Sequence, residues 1–190
     1  KPQKVYAELR KVIPRNAIIA LDAGLAPNYG QDRLNYYEPR SLITSLDLGG
    51  LGFSFPASIG AKFAAPDRPV INFNGDGGFL FNAQEFSTLV ENNLPVVTVV
   101  MNNGIWGSEK AYQRYAFDER YVGADVTNPR YDKYAEIFGG AGFYVDRPED
   151  IGNAMIEALN CGKPSIIEIP TDPDEMPRPA RLNEVQGPTQ

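Results

Sequence analysis

Residues 70–78 read Val70-Ile71-Asn72-Phe73-Asn74-Gly75-Asp76-Gly77-Gly78. A largely apolar run passes without a break into a turn that holds three glycines, one acid and no base. A short apolar run bounded by turn residues reads as a buried strand. Glycines beyond a strand let the backbone approach a ligand closely and present its N–H groups. That arrangement suits a phosphate at the N-terminus of a following helix. An aspartate beside phosphates needs a divalent cation between them, so Asp76 reads as a hard-metal ligand. The Gly-x4-Gly-Lys-Ser/Thr pattern of a P-loop is absent. The competing reading is a tight strand-to-helix turn with Asp76 as the helix N-cap.

Outward from this stretch, strand-like and helix-like segments alternate. Residues 17–21, 41–46, 95–101, 142–145 and 165–169 read as further strands. Helical periodicity predicts helices over 5–12, 56–64, 82–92, 108–115, 131–138 and 148–159. Pro56 is acceptable in a first helical turn, and Glu149 and Asp150 complement the N-terminal dipole of theirs. Near-continuous apolar strands alternating with helices predict a doubly wound, mainly parallel α/β sheet with helices on both faces. Residues 1–170 form the domain in this reading. Residues 171–190, rich in proline and acid at their start, form a tail that is extended, docked on another subunit or disordered.

In open parallel sheets, ligands sit beyond the carboxyl ends of the strands. Three loops rich in glycine or amide follow strands here: 49–52, 75–78 and 102–104. Residues 78–101 make 24 positions between Gly75-Asp76-Gly77 and Asn102-Asn103. That is a helix plus a strand, so the two loops end side by side. An amide oxygen is a neutral hard donor that Mg²⁺ accepts. Asp76, an asparagine oxygen and a backbone carbonyl then supply half an octahedron, which diphosphate oxygens and a water complete.

Composition narrows the chemistry. The chain has 190 residues, 18 Lys+Arg against 24 Asp+Glu, a net charge of −6, no histidine and one cysteine. An acidic chain is a poor electrostatic partner for nucleic acid or an anionic membrane. Without histidine there is no Ser-His triad, imidazole base or His metal ligand. Cys161 alone makes no internal disulfide and no cysteine metal cluster, and it fits a reducing, cytoplasmic setting. No apolar run reaches the ~18 residues of a membrane span. The chain opens on Lys1-Pro2-Gln3-Lys4 with neither Met nor an apolar leader, which suggests a domain cut from a longer chain. Chemistry therefore falls to carboxylates, amides, backbone groups or a borrowed cofactor.

Gly-Asp-Gly followed after about 24–27 residues by Asn-Asn is similar to the thiamine diphosphate (ThDP) motif. It marks the diphosphate-binding (PP) domain of acetolactate-synthase-like enzymes. The resemblance extends to the helix at residues 1–14, to Pro39-Arg40-Ser41 and to residues 49–62. It implies ThDP and Mg²⁺ as cofactors, with Asp76, the Asn103 side chain and the Ile105 carbonyl as metal ligands. Gly75, Gly77 and Gly78 would offer backbone to the diphosphate, and Trp106 and Gly107 would border the cofactor. The Gly49 carbonyl would accept from the aminopyrimidine. Leu51 resembles the bulky residue that holds the cofactor bent, a case of preorganisation. In one departure, Leu25 and Ala26 stand where the family places polar residues. Contacts from that loop then fall to Gly24, backbone N–H groups or Asn28.

The resemblance also implies an incomplete site. The family's activating glutamate lies on a pyrimidine-binding (PYR) domain, either of the same chain or of a separate subunit. The site forms between protomers of a homo- or hetero-oligomer, a dimer or tetramer. Trp106, Glu109, Lys110 and Gln113 lie where the family borders its small-molecule substrate. Trp-Gly-x-Glu-Lys there, with residues 146–150, is similar to sulfoacetaldehyde acetyltransferase. The alternative for residues 109–113 is a solvated helix face with i,i+4 neighbours. The expected function is thus the ThDP- and Mg²⁺-binding half of a C–C-cleaving or acyl-transferring enzyme: a 2-keto acid decarboxylase, carboligase or lyase. Alternatives are a 2-hydroxyacyl-CoA lyase or oxalyl-CoA decarboxylase, with Arg178 and Arg181 near a CoA phosphate. A non-catalytic PP domain kept for assembly is a third. A nucleotide-binding Rossmann domain lacks its Gly-x-Gly-x-x-Gly after the first strand.

Overall fold

The computed structural model describes residues 1–45 and 48–179. Leu46, the last residue of the expected second strand, lies outside them, as do Arg181 and most of the expected tail.

Among the described residues, six strands form one sheet: β1 (Ile18–Leu21), β2 (Leu42–Thr44), β3 (Val70–Gly75), β4 (Val96–Asn102), β5 (Ala141–Tyr144) and β6 (Ser165–Pro170). Their order is β2-β1-β3-β4-β6-β5, and every pairing is parallel. The helices are α1 (Pro2–Leu9), α2 (Leu25–Asn28), α3 (Gly30–Arg33), α4 (Ser54–Ala64), α5 (Asp76–Leu80), α6 (Phe86–Glu91), α7 (Gly107–Ala116), α8 (Tyr131–Ile137) and α9 (Ile151–Asn160). None is long and apolar enough to cross a membrane.

Successive side chains of a strand point to opposite faces, and this divides the core into two layers. Ile19, Leu21, Ile71, Phe73, Val97, Val99, Met101 and Ile167 pack with Val5, Tyr6 and Leu9 of α1 and Ile151 and Met155 of α9. Ile18, Val70, Val96, Val100 and Ile166 pack with Phe55 and Ile59 of α4, Phe86 of α6 and Tyr131 of α8. Both faces are covered, which is why the strands read as near-continuous apolar runs. The second face carries exceptions: Asn72, Asn74, Thr98 and Glu168 are all buried. Asn72 sits opposite Thr98, and Asn74 shares a row with Val100 and Glu168. Burying such groups costs free energy unless they are hydrogen-bonded.

Phe79 of α5 ties the second layer to the carboxyl edge of the sheet. It is fully buried, with its ring 5.0 Å from Phe55 and 5.6 Å from Tyr131. On the other face, the Tyr6 hydroxyl of α1 lies 3.2 Å from the Ala26 carbonyl and 3.3 Å from that of Pro27. Those bonds fix α2 directly after β1.

The expected 82–92 helix is corrected. Helix starts at Asp76, straight out of β3, and stops at Leu80; a 3-10 turn over Ala83–Glu85 then leads into α6. The break has a visible cause. Asn82 leaves helical geometry, at φ −135°, and its side chain donates to the Gly52 carbonyl at 2.9 Å. The short helices α2 and α3 were not expected. Residues 171–179 carry no helix or strand. They run back along α7, with Met176 buried against Ile105 and Ala111.

β1 has β2 on one side and β3 on the other, so the direction of winding reverses between β1 and β3. Loops at the carboxyl ends of such strands diverge and leave a crevice. That crevice holds a cavity.

Candidate functional site

The cavity holds about 350 Å³. It is lined by Gly24, Leu25 and Asn28 after β1, by Gly49 and Leu51 after β2, by Gly75, Asp76, Gly77 and Gly78 at the end of β3, and by Asn103, Ile105, Trp106, Gly107 and Glu109 after β4. The structure therefore brings together every residue that the sequence reading assigned to cofactor or metal.

Asp76 is not the helix cap. It is the first helical residue of α5, and Gly75 before it holds the N-cap position. Its carboxylate is buried. Oδ2 accepts the Gly104 N–H at 2.8 Å and the Asn128 amide at 2.6 Å. Both bonds fall on one oxygen and fix the plane of the group. Burial pushes its carboxyl above the usual range, against bonds from Asn128, Gly104 and Gly77 that favour the ion. A neighbouring cation would offset that cost of burial.

Asn102 ends β4 and Asn103 follows it, and their side chains divide. Asn103 lines the cavity, and its Oδ1 accepts the Ile105 N–H at 3.3 Å. Asn102 turns away: its amide donates to Glu168 Oε1 at 2.8 Å, and its Oδ1 accepts from Asn128 at 2.9 Å. Glu168 Oε2 accepts the Tyr131 N–H at 2.8 Å. The Tyr131 hydroxyl lies 2.8 Å from Asn128 Oδ1 and 3.0 Å from the Asp76 carbonyl. Burial, with the charges of Asp76 and Glu168, pushes that phenol far up, so it remains a neutral donor. A chain of polar contacts thus runs from Glu168 at the end of β6 through Asn102 and Asn128 to Asp76.

The glycines of the crevice are close-packed. A Cβ on Gly77 would come 2.5 Å from the Trp106 ring, so only hydrogen lets that ring lie against the turn. Trp106 in turn meets Phe81 edge-on, 6.1 Å between centroids. A Cβ on Gly107 would come 3.1 Å from Leu25. Gly49 has φ +66°, the left-handed region that glycine tolerates.

Asp76, Asn103 and Ile105 offer a carboxylate, an amide oxygen and a backbone carbonyl. These are hard oxygen donors of the kind Mg²⁺ accepts. Among the described residues no group of three or more His, Cys, Asp or Glu could hold a metal ion. A metal here would draw on neutral donors and on its ligand's own oxygens. The donor set fits a cation carrying an anionic group.

The residues expected at the substrate separate. Trp106 and Glu109 line the cavity. Lys110 instead binds Asp125 at 2.7 Å, 5.2 Å from the Tyr121 ring centroid. Gln113 bonds the Val122 carbonyl and N–H at 3.0 and 2.7 Å. Both fasten the segment after α7 rather than face the crevice. Arg178 lies at a second cavity, against Ser108 and Tyr112. Asn128 and Tyr131 were not expected. Asn128-Pro129 carries only a turn signal in sequence, and nothing local marks it as a partner of Asp76.

Comparison with known proteins follows the same lines. The family profile "Thiamine pyrophosphate enzyme, C-terminal TPP binding domain" matches residues 22–169. A sulfoacetaldehyde acetyltransferase of Castellaniella defragrans is 33% identical over 96% of this chain and 33% of its own. A probable acetolactate synthase large subunit of Methanococcus aeolicus is 36% identical over 91% of this chain and 30% of its own. The solved thiamine diphosphate-dependent 4-hydroxybenzoylformate decarboxylase of Rhodococcus jostii RHA1 superposes with a TM-score of 0.85 at 29% identity, over 92% of this chain and 33% of its own. The chain spans about a third of the length of the curated relatives named here.

Proposed function

The chain belongs to the thiamine pyrophosphate enzymes, as their C-terminal TPP-binding domain, and on that premise we propose that it is the diphosphate- and Mg²⁺-binding half of an enzyme that cleaves or forms C–C bonds or transfers an acyl group. One observation carries the reading. The hard oxygen donors Asp76, Asn103 and Ile105 share one cavity with the glycine turn 75–78 and with Gly49 and Leu51.

When bound, ThDP would supply the carbanion-stabilising chemistry. The chain's own residues do the rest. Asp76, Asn103 and the Ile105 carbonyl hold the metal, and the Asn128 and Gly104 donors keep the Asp76 carboxylate turned to it. Backbone of Gly75, Gly77 and Gly78 meets the diphosphate. Gly49 and Leu51 meet the pyrimidine side, with Leu51 as an apolar wedge that limits the bound conformations. Trp106 and Glu109 border the reacting side of the crevice. A PYR domain, elsewhere in the full protein or on another subunit of an oligomer, supplies the activating acid and closes the site. The substrate is a small 2-oxo acid or an anionic aldehyde, and the protein works in the cytoplasm.

The test is a product screen of the full-length protein with ThDP, Mg²⁺ and either pyruvate or sulfoacetaldehyde plus phosphate. Turnover of either donor that disappears on omission of ThDP supports the proposal. Tight ThDP binding without turnover of any 2-oxo acid, 2-hydroxyacyl-CoA or aldehyde would favour a non-catalytic assembly role instead.

A further inference from the structure

The reading above gives no task to Asp22, the residue directly after β1, although its side chain is fully buried. Its partners come from two other segments. Oδ2 accepts the Gly52 N–H at 2.9 Å and the Asn74 amide at 2.8 Å, and Oδ1 accepts the Ser54 N–H at 3.2 Å. Gly52 lies in the connection from β2 to α4, Ser54 opens α4, and Asn74 lies in β3, one residue before the glycine turn. Gly78 in α5 is so near that a Cβ there would stand 2.5 Å from Oδ2. Asp22 thus joins the carboxyl ends of β1, β2 and β3.

The chemistry is one-directional. All three bonds bring a donor to the carboxylate, which in its ionised form only accepts. Asn74 cannot turn its amide round freely, because its own Oδ1 accepts from the Asn72 amide. An asparagine at position 22 would present an NH₂ group to at least one N–H donor. From the opposite side, the Asn82 amide donates to the Gly52 carbonyl at 2.9 Å. Gly52 is therefore gripped at its N–H and at its C=O, with φ +78°, immediately after Leu51.

We propose that Asp22 is a positioning residue: by gripping Gly52 and Ser54 and tying them to Asn74, it sets Leu51 at a fixed height above the Asp76 turn. The inference rests on the reading of Leu51 as the contact to the pyrimidine side of ThDP. It predicts a selective defect. Misplacing Leu51 harms binding of whole ThDP and spares the metal–diphosphate half, which Asp76, Asn103 and Ile105 hold.

The experiment compares two probes by calorimetry on the full-length protein: ThDP with Mg²⁺, and inorganic diphosphate with Mg²⁺. For Asp22→Asn, loss of a charged hydrogen-bond grip predicts at least about a tenfold weaker ThDP affinity, with diphosphate affinity within about twofold of wild type. Equal loss of both probes would make the role merely structural and overturn the proposal, as would ThDP affinity within about twofold of wild type. Asn82→Ala guards against a variant that fails to fold, since Asn82 is only half-buried. It releases Gly52 from the other side and predicts the same selectivity with a roughly three- to tenfold loss; unchanged ThDP affinity in this variant counts against the proposal. A wild-type protein that binds no ThDP would instead contradict the cofactor reading itself.

Discussion

Asp76 concentrates the chemistry of the site in one side chain, and two of its properties can be separated. Its hydrogen bonds from Gly104 and Asn128 both fall on Oδ2. An asparagine can keep both with its carbonyl oxygen while its NH₂ group points to the metal position. Asp76→Asn should therefore leave the melting temperature of the metal-free protein unchanged or a few degrees higher, because a buried charge is removed. The same variant should lose Mg²⁺-dependent ThDP binding in calorimetry. Gly77→Ala makes the opposite kind of change, since its methyl group would meet the Trp106 ring at 2.5 Å. It should cost about 1–3 kcal/mol by overpacking, measured by denaturant unfolding. The motif residues were legible in sequence because glycine, acid and amide types recur at loop ends one α/β unit apart. Asn128 and Asp22 were not. Each acts on a partner 30 to 52 residues away, and only the fold brings such partners together.

At the scale of elements, the strands were legible because parallel strands buried on both faces leave uninterrupted apolar runs. The helix after β3 was not placed correctly. Its residues 76–80 include two glycines with poor intrinsic propensity, and packing of Phe79 between Phe55 and Tyr131 overrides that preference. Phe79→Ala should therefore cost about 3–5 kcal/mol in equilibrium unfolding, far more than an average surface change. α7 makes the complementary point. Sequence position after the asparagine pair assigned Lys110 and Gln113 to a substrate, yet geometry gives them to residues 122 and 125. Gln113→Ala should leave ThDP affinity within about twofold of wild type while exposing the Val122 region to faster amide exchange. A tenfold loss of affinity would return Gln113 to the site.

For the whole molecule, the net charge of −6 says little about how an anionic cofactor is held, because local donors and a metal decide that. It does frame a pH response. Burial raises the carboxyls of both Asp22 and Asp76 above the ordinary aspartate range. A folded-state value above the unfolded one means that the native state binds these protons more tightly. Metal-free stability should then increase as pH falls from neutral through those raised values. Half-buried Glu8 works the other way, held near 2 by Lys11 and Lys4, so its contribution fades below the ordinary 4.5 of its carboxyl. A melting-temperature series from neutral to acid should show a maximum on the acidic side, and Mg²⁺ with ThDP should move it upward in pH, because a ligating Asp76 must be ionised. The most direct test of the account is a calorimetric titration of the full-length protein with ThDP, with and without Mg²⁺, beside Asp76→Ala. Saturable, Mg²⁺-dependent binding is expected in the wild type and none in the variant; equal affinity in the two would contradict the assignment of Asp76 to the metal.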